Sequence, residues 1–282
     1  MQDVLSQFEK DGFVVIEDFF KPEEVDELKS AGEEFTTNLP PEKKRKIFNT
    51  IDQQQSKDQY FLDSANKISY FFESEALESN GKLKVHPSVS LNKVGHALHW
   101  QHPVFKKYTF SEKVKEIAFQ LELIEPAVCQ SMYIYKNSGI GSEVKVHQDA
   151  SYLYTDPMKL TGFWIALDDA TRENGCLWIA AGSHKSGVHR RYLRNKDPHA
   201  KKLLVYDKPE AYYQLSTFRP VEVRRGSCIL LHGQVVHFSN PNKSDKSRHA
   251  YTFHVIETQH VHYSKDNWLQ QPPEGFPKLY LN

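Results

Sequence analysis

The sequence predicts a mainly β protein with flanking helices, built on a double-stranded β-helix core of the jelly-roll, cupin-like kind. Three observations carry that prediction. From Pro126 onward the chain breaks into short apolar runs of strand length, at 128–135, 143–149, 160–167, 176–180, 221–223, 226–231, 235–239 and 250–257. Short strands of this number, separated by turns, pack as two antiparallel sheets. Turn signals lie between them, among them Asn174-Gly175 and Ser239-Asn240-Pro241-Asn242, and an Asn-Gly pair flanked by apolar runs is a strong hairpin signal. Helical periodicity, by contrast, is concentrated in the first 125 residues, where it supplies elements to cover a sheet.

Taken in order, Val4, Leu5 and Phe8 repeat at helical spacing over 3–10 and are stopped by Asp11-Gly12. Phe13-Val14-Val15-Ile16 follows as a strand, and Lys21-Pro22 opens a second helix carrying Val25, Leu28 and Phe35. The polar stretch 38–58, with its run Lys43-Lys44-Arg45-Lys46, reads as a solvated helix or loop rather than an import signal. A strand at 68–72 precedes a turn-rich segment at 73–90 containing Ser79-Asn80-Gly81. His96 and His99 stand three apart, the spacing of one helix face, and lack a carboxylate at a ligand-like offset; they are expected to pack or to line an entrance. Val114, Ile117, Ala118 and Leu121 form the stripe of a helix over 110–123. Within the strand-rich part, 183–217 is a long polar insert, the length of a lid or an excursion. Residues 1–125 are therefore expected to pack on a core at 126–260, with 261–282 a docking tail, all in one integrated catalytic domain.

Lys plus Arg and Asp plus Glu both number 36, so the formal net charge is zero. A chain without a basic field is not drawn to nucleic acid or an anionic membrane. The start of the chain has no apolar leader, no apolar run is long enough to span a bilayer, and 279–282 is not a Ser-Lys-Leu type address. Cys129, Cys176 and Cys228 lie far apart in apolar runs and read as buried free thiols. The expectation is a cytoplasmic monomer that acts on a small molecule.

The chemistry centres on His147 and Asp149. Two apart in an extended segment, they share a face and can hold one ion, and a nitrogen and oxygen pair suits Fe(II) better than a thiolate-loving metal. With 14 histidines and 36 acidic residues in 282 positions, about two such triplets arise by chance, so the triplet needs context to count. His237, at the end of an apolar run, is the candidate third ligand; two histidines and a carboxylate form the facial triad of non-haem Fe(II) oxygenases. A symmetric hairpin centred near Asn242 and Lys243 would put Arg248 opposite His237, with Ser239 on the same face. A guanidinium and a hydroxyl there suit the far carboxylate of 2-oxoglutarate.

His147-x-Asp149, His237, Arg248 eleven residues on, and the segment 162–184 between them resemble the phytanoyl-CoA dioxygenase family, with further likeness at 92–99, 130–134 and 267–270. The resemblance implies Fe(II) at the triad, 2-oxoglutarate and O2 as co-substrates, and ascorbate as a supporting reductant. It also implies co-substrate contacts from Lys93, Met132, Trp164, Ser239 and Arg248. Such an enzyme hydroxylates a C–H bond of a small molecule, an acyl-CoA or a carboxylate among the candidates, and releases succinate and CO2. Asp149 matters here, because related halogenases replace that carboxylate to admit a halide. Arg190, Arg191 and Arg194 offer cations for a substrate anion, and His184 and His189 stand where substrate contact is expected. Two other classes keep the same residues: a non-catalytic sensor of metal and 2-oxoglutarate, and a metal-dependent hydrolase or isomerase.

Overall fold

The structure, a computed structural model, describes residues 4–50, 54–197 and 199–282. Asp3, at the head of the first expected helix, and Pro198, in the insert, lie outside the described residues. The larger sheet has eight strands in the order β1 (Phe13–Ile16), β13 (Cys228–His232), β8 (Leu160–Ala166), β15 (Ala250–Glu257), β5 (Pro126–Ile134), β4 (Leu91–His96), β3 (Ile68–Phe72) and β2 (Lys46–Ile47). The smaller sheet runs β12 (Arg219–Val221), β9 (Leu177–Ala180), β14 (Val236–Ser239) and β6 (Val144–His147). Two short pairs complete the strands: β7 (Thr155–Asp156) with β16 (His262–Tyr263), and β10 (Tyr192–Arg194) with β11 (Leu204–Tyr206).

Each of the eight expected strand runs overlaps a strand, four in each sheet, although β12 shares only Val221 with the expected 221–223. Two expected hairpins, however, are crossings between sheets. Asn174-Gly175 joins β8, which pairs β13 and β15, to β9, which pairs β12 and β14. The loop after β14 likewise carries the chain from the smaller sheet to β15 in the larger one. Both runs have hairpin sequences, yet each strand buries its face better against a partner distant in sequence, as a two-sheet core requires. The segment 91–96 is also a strand, not a helix: His96 lies on β4 and His99 on a short helix, Leu98–Gln101.

Period-two alternation along the larger sheet sorts side chains between two environments. Phe163, Ile165, Tyr251, Phe253 and Val255 face a core shared with α1 (Val4–Asp11) and α2 (Pro22–Glu34). Their alternates Trp164, Thr252 and His254 turn to the space between the sheets, where they line a cavity. Phe163 and Phe253 stack at 4.8 Å and 10° with no exposed surface. Truncation at such a position costs about 3–5 kcal/mol. Phe253→Ala is thus expected to lower unfolding stability by that amount in urea titration. A change under 1 kcal/mol would mean the helical cover does not depend on this stack.

The core is closed on its other side by the insert and the tail. Phe61, Tyr192, Leu204, Trp268 and Phe276 belong to one buried cluster, so segments more than 200 residues apart meet along the cavity wall. Among the described residues, no helix is long and apolar enough to cross a membrane.

Candidate active site

His147 and His237 are cross-strand partners on β6 and β14, the arrangement that brings side chains on adjacent strands closest together. Their rings lie 4.3 Å apart. Gln148 stays extended beyond the end of β6 and Asp149 opens a short 3-10 turn, which keeps Asp149 on the same side as His147. The Gln148 side chain turns the other way, donating to the carbonyls of Gly187 and Gln234. Asp149 Oδ1 is 3.5 Å from His147 Nε2 and 3.8 Å from His237 Nε2, and one ligand atom from each of the three residues lies within 4.8 Å of the others.

The histidine orientations are set from behind. Nδ1 of His147 is 2.8 Å from the Lys145 carbonyl and Nδ1 of His237 is 3.1 Å from the Val235 carbonyl. A carbonyl only accepts, so each Nδ1 carries a proton and each ring turns its Nε2 toward Asp149, the usual outer-partner device of ligand histidines. Burial, followed by the neighbouring His147, pushes His237 down to about 4. For Asp149 burial alone would raise the carboxyl pKa, but the facing His254 and His237, with hydrogen bonds from His147 and His254, hold it well below the usual range. Neutral imidazole and ionised carboxylate are the protonation states that metal ligation requires. The donor set, two nitrogens and one oxygen, fits a non-haem ferrous ion.

The second Asp149 oxygen is also held. Oδ2 sits 3.1 Å from Nε2 of His254, while a Cβ at Gly162 would come within 3.2 Å of that same oxygen. Gly162 therefore leaves room for the carboxylate, and His254 orients it. The motif alone did not point to His254, although counting alternate residues from Arg248 along β15 reaches Ala250, Thr252 and His254.

Arg248 comes to the site by a route other than the expected hairpin. Its backbone N–H donates to the carbonyl of Lys136, and the side chain of Asn242 donates to the same carbonyl. The loop is thus pinned to the segment after β5 rather than laddered back on β14. The guanidinium is nevertheless buried beside Ser239: Nη2 donates to Ser239 Oγ at 3.2 Å, Nε donates to the Gly175 carbonyl at 3.0 Å, and Nη1 is buried with no partner. Its Cζ stands 5.1 Å over the ring of Trp164. Burial lowers its pKa, to about 10, so it stays charged at neutral pH.

Lys93, Met132, Trp164, Ser239 and Arg248 all line the cavity that contains the triad, a space of about 200 Å³. Lys93 Nζ lies 3.5 Å over the ring of Phe48 and 3.8 Å from the Met132 sulfur. Lys136, absent from the expected set, lines the same cavity and is buried, with Nζ donating to the Ser142 carbonyl at 2.7 Å. His184 and His189 do not line the cavity. His184 Nε2 pairs with the Glu9 carbonyl, and His189 Nδ1 with the Tyr213 hydroxyl.

Comparison with known proteins places this geometry. The phytanoyl-CoA dioxygenase (PhyH) family model matches residues 8–250. The chain is 44% identical over 279 residues to a phytanoyl-CoA dioxygenase of Arabidopsis thaliana, covering 99% of this chain and 96% of that one. It is 44% identical over 286 residues to phytanoyl-CoA dioxygenase domain-containing protein 1 of Danio rerio, covering 99% and 98%. Among solved structures, the epimerase SnoN of nogalamycin biosynthesis, in complex with Fe3+ and alpha ketoglutarate, matches at 13% identity with a TM-score of 0.64 over 98% of this chain and 97% of that one. EctD from S. alaskensis, solved with 2-oxoglutarate and 5-hydroxyectoine, matches at 19% with a TM-score of 0.59, over 89% and 74%. Those two share the fold, the jelly roll of 2-oxoglutarate-dependent non-haem oxygenases. A family match over most of the length, agreeing with relatives aligned nearly end to end, establishes that this chain belongs to the phytanoyl-CoA dioxygenase family.

Proposed function

We propose that the protein is an Fe(II)- and 2-oxoglutarate-dependent dioxygenase that hydroxylates a C–H bond of a small organic substrate, with release of succinate and CO2. One observation carries the reading. Two imidazoles and a carboxylate within reach of one ion share a cavity with a buried guanidinium whose Nη1 has no protein partner. A hydrolase or isomerase on this fold has no use for that cation, whereas the distal carboxylate of a keto acid does.

When bound, Fe(II) supplies the redox chemistry that couples decarboxylation of the keto acid by O2 to oxygenation of the substrate. The protein's part is placement. His147, Asp149 and His237 would hold the ion through Nε2, one carboxylate oxygen and Nε2, and His254 would keep the other Asp149 oxygen turned away. Arg248 and Ser239 receive the distal carboxylate, and Trp164 walls the space beside Arg248. Lys93 and Met132, across β4 and β5, close the opposite side of the keto-acid site. Ascorbate, as a supporting reductant, belongs to the same reading.

Anaerobic addition of Fe(II) with 2-oxoglutarate is expected to produce a weak visible charge-transfer band, absent with either alone, and aerobic incubation with substrate to release succinate. Band formation without coupled succinate release in a broad metabolite panel would favour the sensor. Zinc-dependent turnover without keto acid would favour the hydrolase.

Lys93 makes the co-substrate affinity depend on pH. Burial pushes its ammonium down from the usual lysine range to about 7, so in the free protein it is charged below that pH and neutral above it. A dianionic keto acid favours the charged form. Above pH 7 binding must then take up a proton, and affinity is expected to fall by up to about tenfold per pH unit. Titrating 2-oxoglutarate between pH 6 and 9 tests this. An identical slope in Lys93→Met would remove Lys93 from the site.

A further inference from the structure

The insert brings three arginines near the cavity, and the structure separates their duties. Arg191 donates from Nη2 to Ser264 Oγ at 2.6 Å and lies 4.1 Å over the ring of Tyr154. Arg194 donates from Nε and Nη2 to the Trp268 carbonyl at 3.1 and 2.8 Å. Both fasten the insert to the tail. Of the three, only Arg190 lines the cavity. Its guanidinium is 3.9 Å over the ring of Tyr206, and its side chain is 14% exposed. Its acidic neighbour is Glu210, half in solvent, with 3.5 Å between Nη2 and Oε2. That is longer than the roughly 2.7–2.9 Å of a charge-assisted hydrogen bond, so the fork keeps donors to give.

From this group a line of aromatic contacts leads to the triad. The Tyr206 hydroxyl is 3.2 Å from that of Tyr152, whose ring lies 6.0 Å from that of His147. The adjoining wall is Phe61 stacked on Trp268 at 4.4 Å, with the ring of His96 5.0 Å from Trp268. His96 shows that this wall is more than core packing. Ser64 Oγ donates its one hydrogen to the Phe61 carbonyl, so at the 2.9 Å contact with His96 it accepts, and Nδ1 carries the imidazole proton. Nε2 is left as an acceptor, buried and without a partner, on a residue that lines the cavity.

We infer that the organic substrate is a small carboxylic acid bound as its anion, with the carboxylate on Arg190 above Tyr206 and the carbon skeleton against the Phe61, Trp268 and His96 wall. The inference rests on the oxygenase reading for its reaction, but the binding does not. A planar fork suits a carboxylate in two-point contact, and Nε2 of His96 would accept from a hydroxyl or N–H group on the skeleton. A free acid rather than its CoA thioester is the better match, because a cation only loosely paired with Glu210 lines the cavity and the thioester carbonyl carries no charge for it.

The probes are hexanoate and 3-phenylpropanoate, each with its amide and its CoA thioester. They are titrated anaerobically into the protein loaded with Fe(II) and 2-oxoglutarate, reading the shift of the charge-transfer band, and by calorimetry into the metal-free protein. At least one acid is expected to bind ten-fold or more tighter than its amide and its thioester. Arg190→Gln is expected to weaken that acid ten-fold or more, to the level of the amide, and Arg190→Lys to restore part of the loss. The band before any acid is added should be unaltered in both variants. Equal binding of acid and amide, preference for the thioester, no binding by either acid, or an unchanged affinity in Arg190→Gln overturns the assignment. Failure of the band to form in the unaltered protein would sink the oxygenase reading instead, and the calorimetric arm would still decide the role of Arg190.

Discussion

Asp149→Ala is expected to remove Fe(II)-dependent succinate release, with Fe(II) affinity falling by more than 100-fold. The bound is conservative, since changing only an outer partner of a metal ligand costs about 10–100-fold. Asp149 is the sole anionic donor of the triad, and His237 is neutral well above pH 4. Without the carboxylate a dication would face two uncharged nitrogens. The substitution also leaves Nε2 of His254 with no carboxylate to answer it. Anaerobic Fe(II) titration and aerobic succinate assay measure the two consequences separately. Turnover within ten-fold of the unaltered protein would show that the ion is held elsewhere.

Arg248→Ala should act on the co-substrate while leaving the metal in place. Truncating one member of a buried charge pair costs about 2–5 kcal/mol, equivalent to a rise in the dissociation constant for 2-oxoglutarate of about 30-fold or more. Fe(II) binding in the absence of keto acid should change little, because Arg248 contacts Ser239 and Gly175 and none of the ligands. Arg248→Lys keeps a charge but loses the fork, and is expected to recover only part of the affinity. Titration of the charge-transfer band with 2-oxoglutarate gives the numbers. A constant within three-fold of normal in Arg248→Ala would mean that the distal carboxylate lies elsewhere, with Lys136 the next cation along the wall.

Much of this was legible in the residues. Strand runs are short, apolar and punctuated by turns, so eight of the twelve strands described in the two sheets could be placed after residue 125, and β1 and β3 before it, while β2 and β4 could not. The triad could be read because its members carry their own chemistry and because His237 ends an apolar run. Partners of strands were less legible. Asn174-Gly175 has the local signature of a tight hairpin, but pairing is decided by which faces bury each other, and that information is spread over distant segments. Arg248 reached its expected neighbours although the expected ladder was wrong: burial of its charge beside Ser239 depends on the anchoring of Asn242 to Lys136. His254 escaped notice, and Arg190 could not be told apart from Arg191 and Arg194, for a similar reason. Neither belongs to a motif, and each gains meaning only from what the fold sets opposite it, a carboxylate oxygen in one case and an aromatic ring in the other.

The cavity takes Phe48, Lys93 and His96 from before the jelly roll and Trp268 from after it. Trimming the chain to the stretch that carries the candidate metal ligands would leave a cup with two sides missing. Engineering that seeks a minimal version should therefore graft new loops between strands and leave both ends intact, and random truncation libraries should yield few active clones even where expression is good.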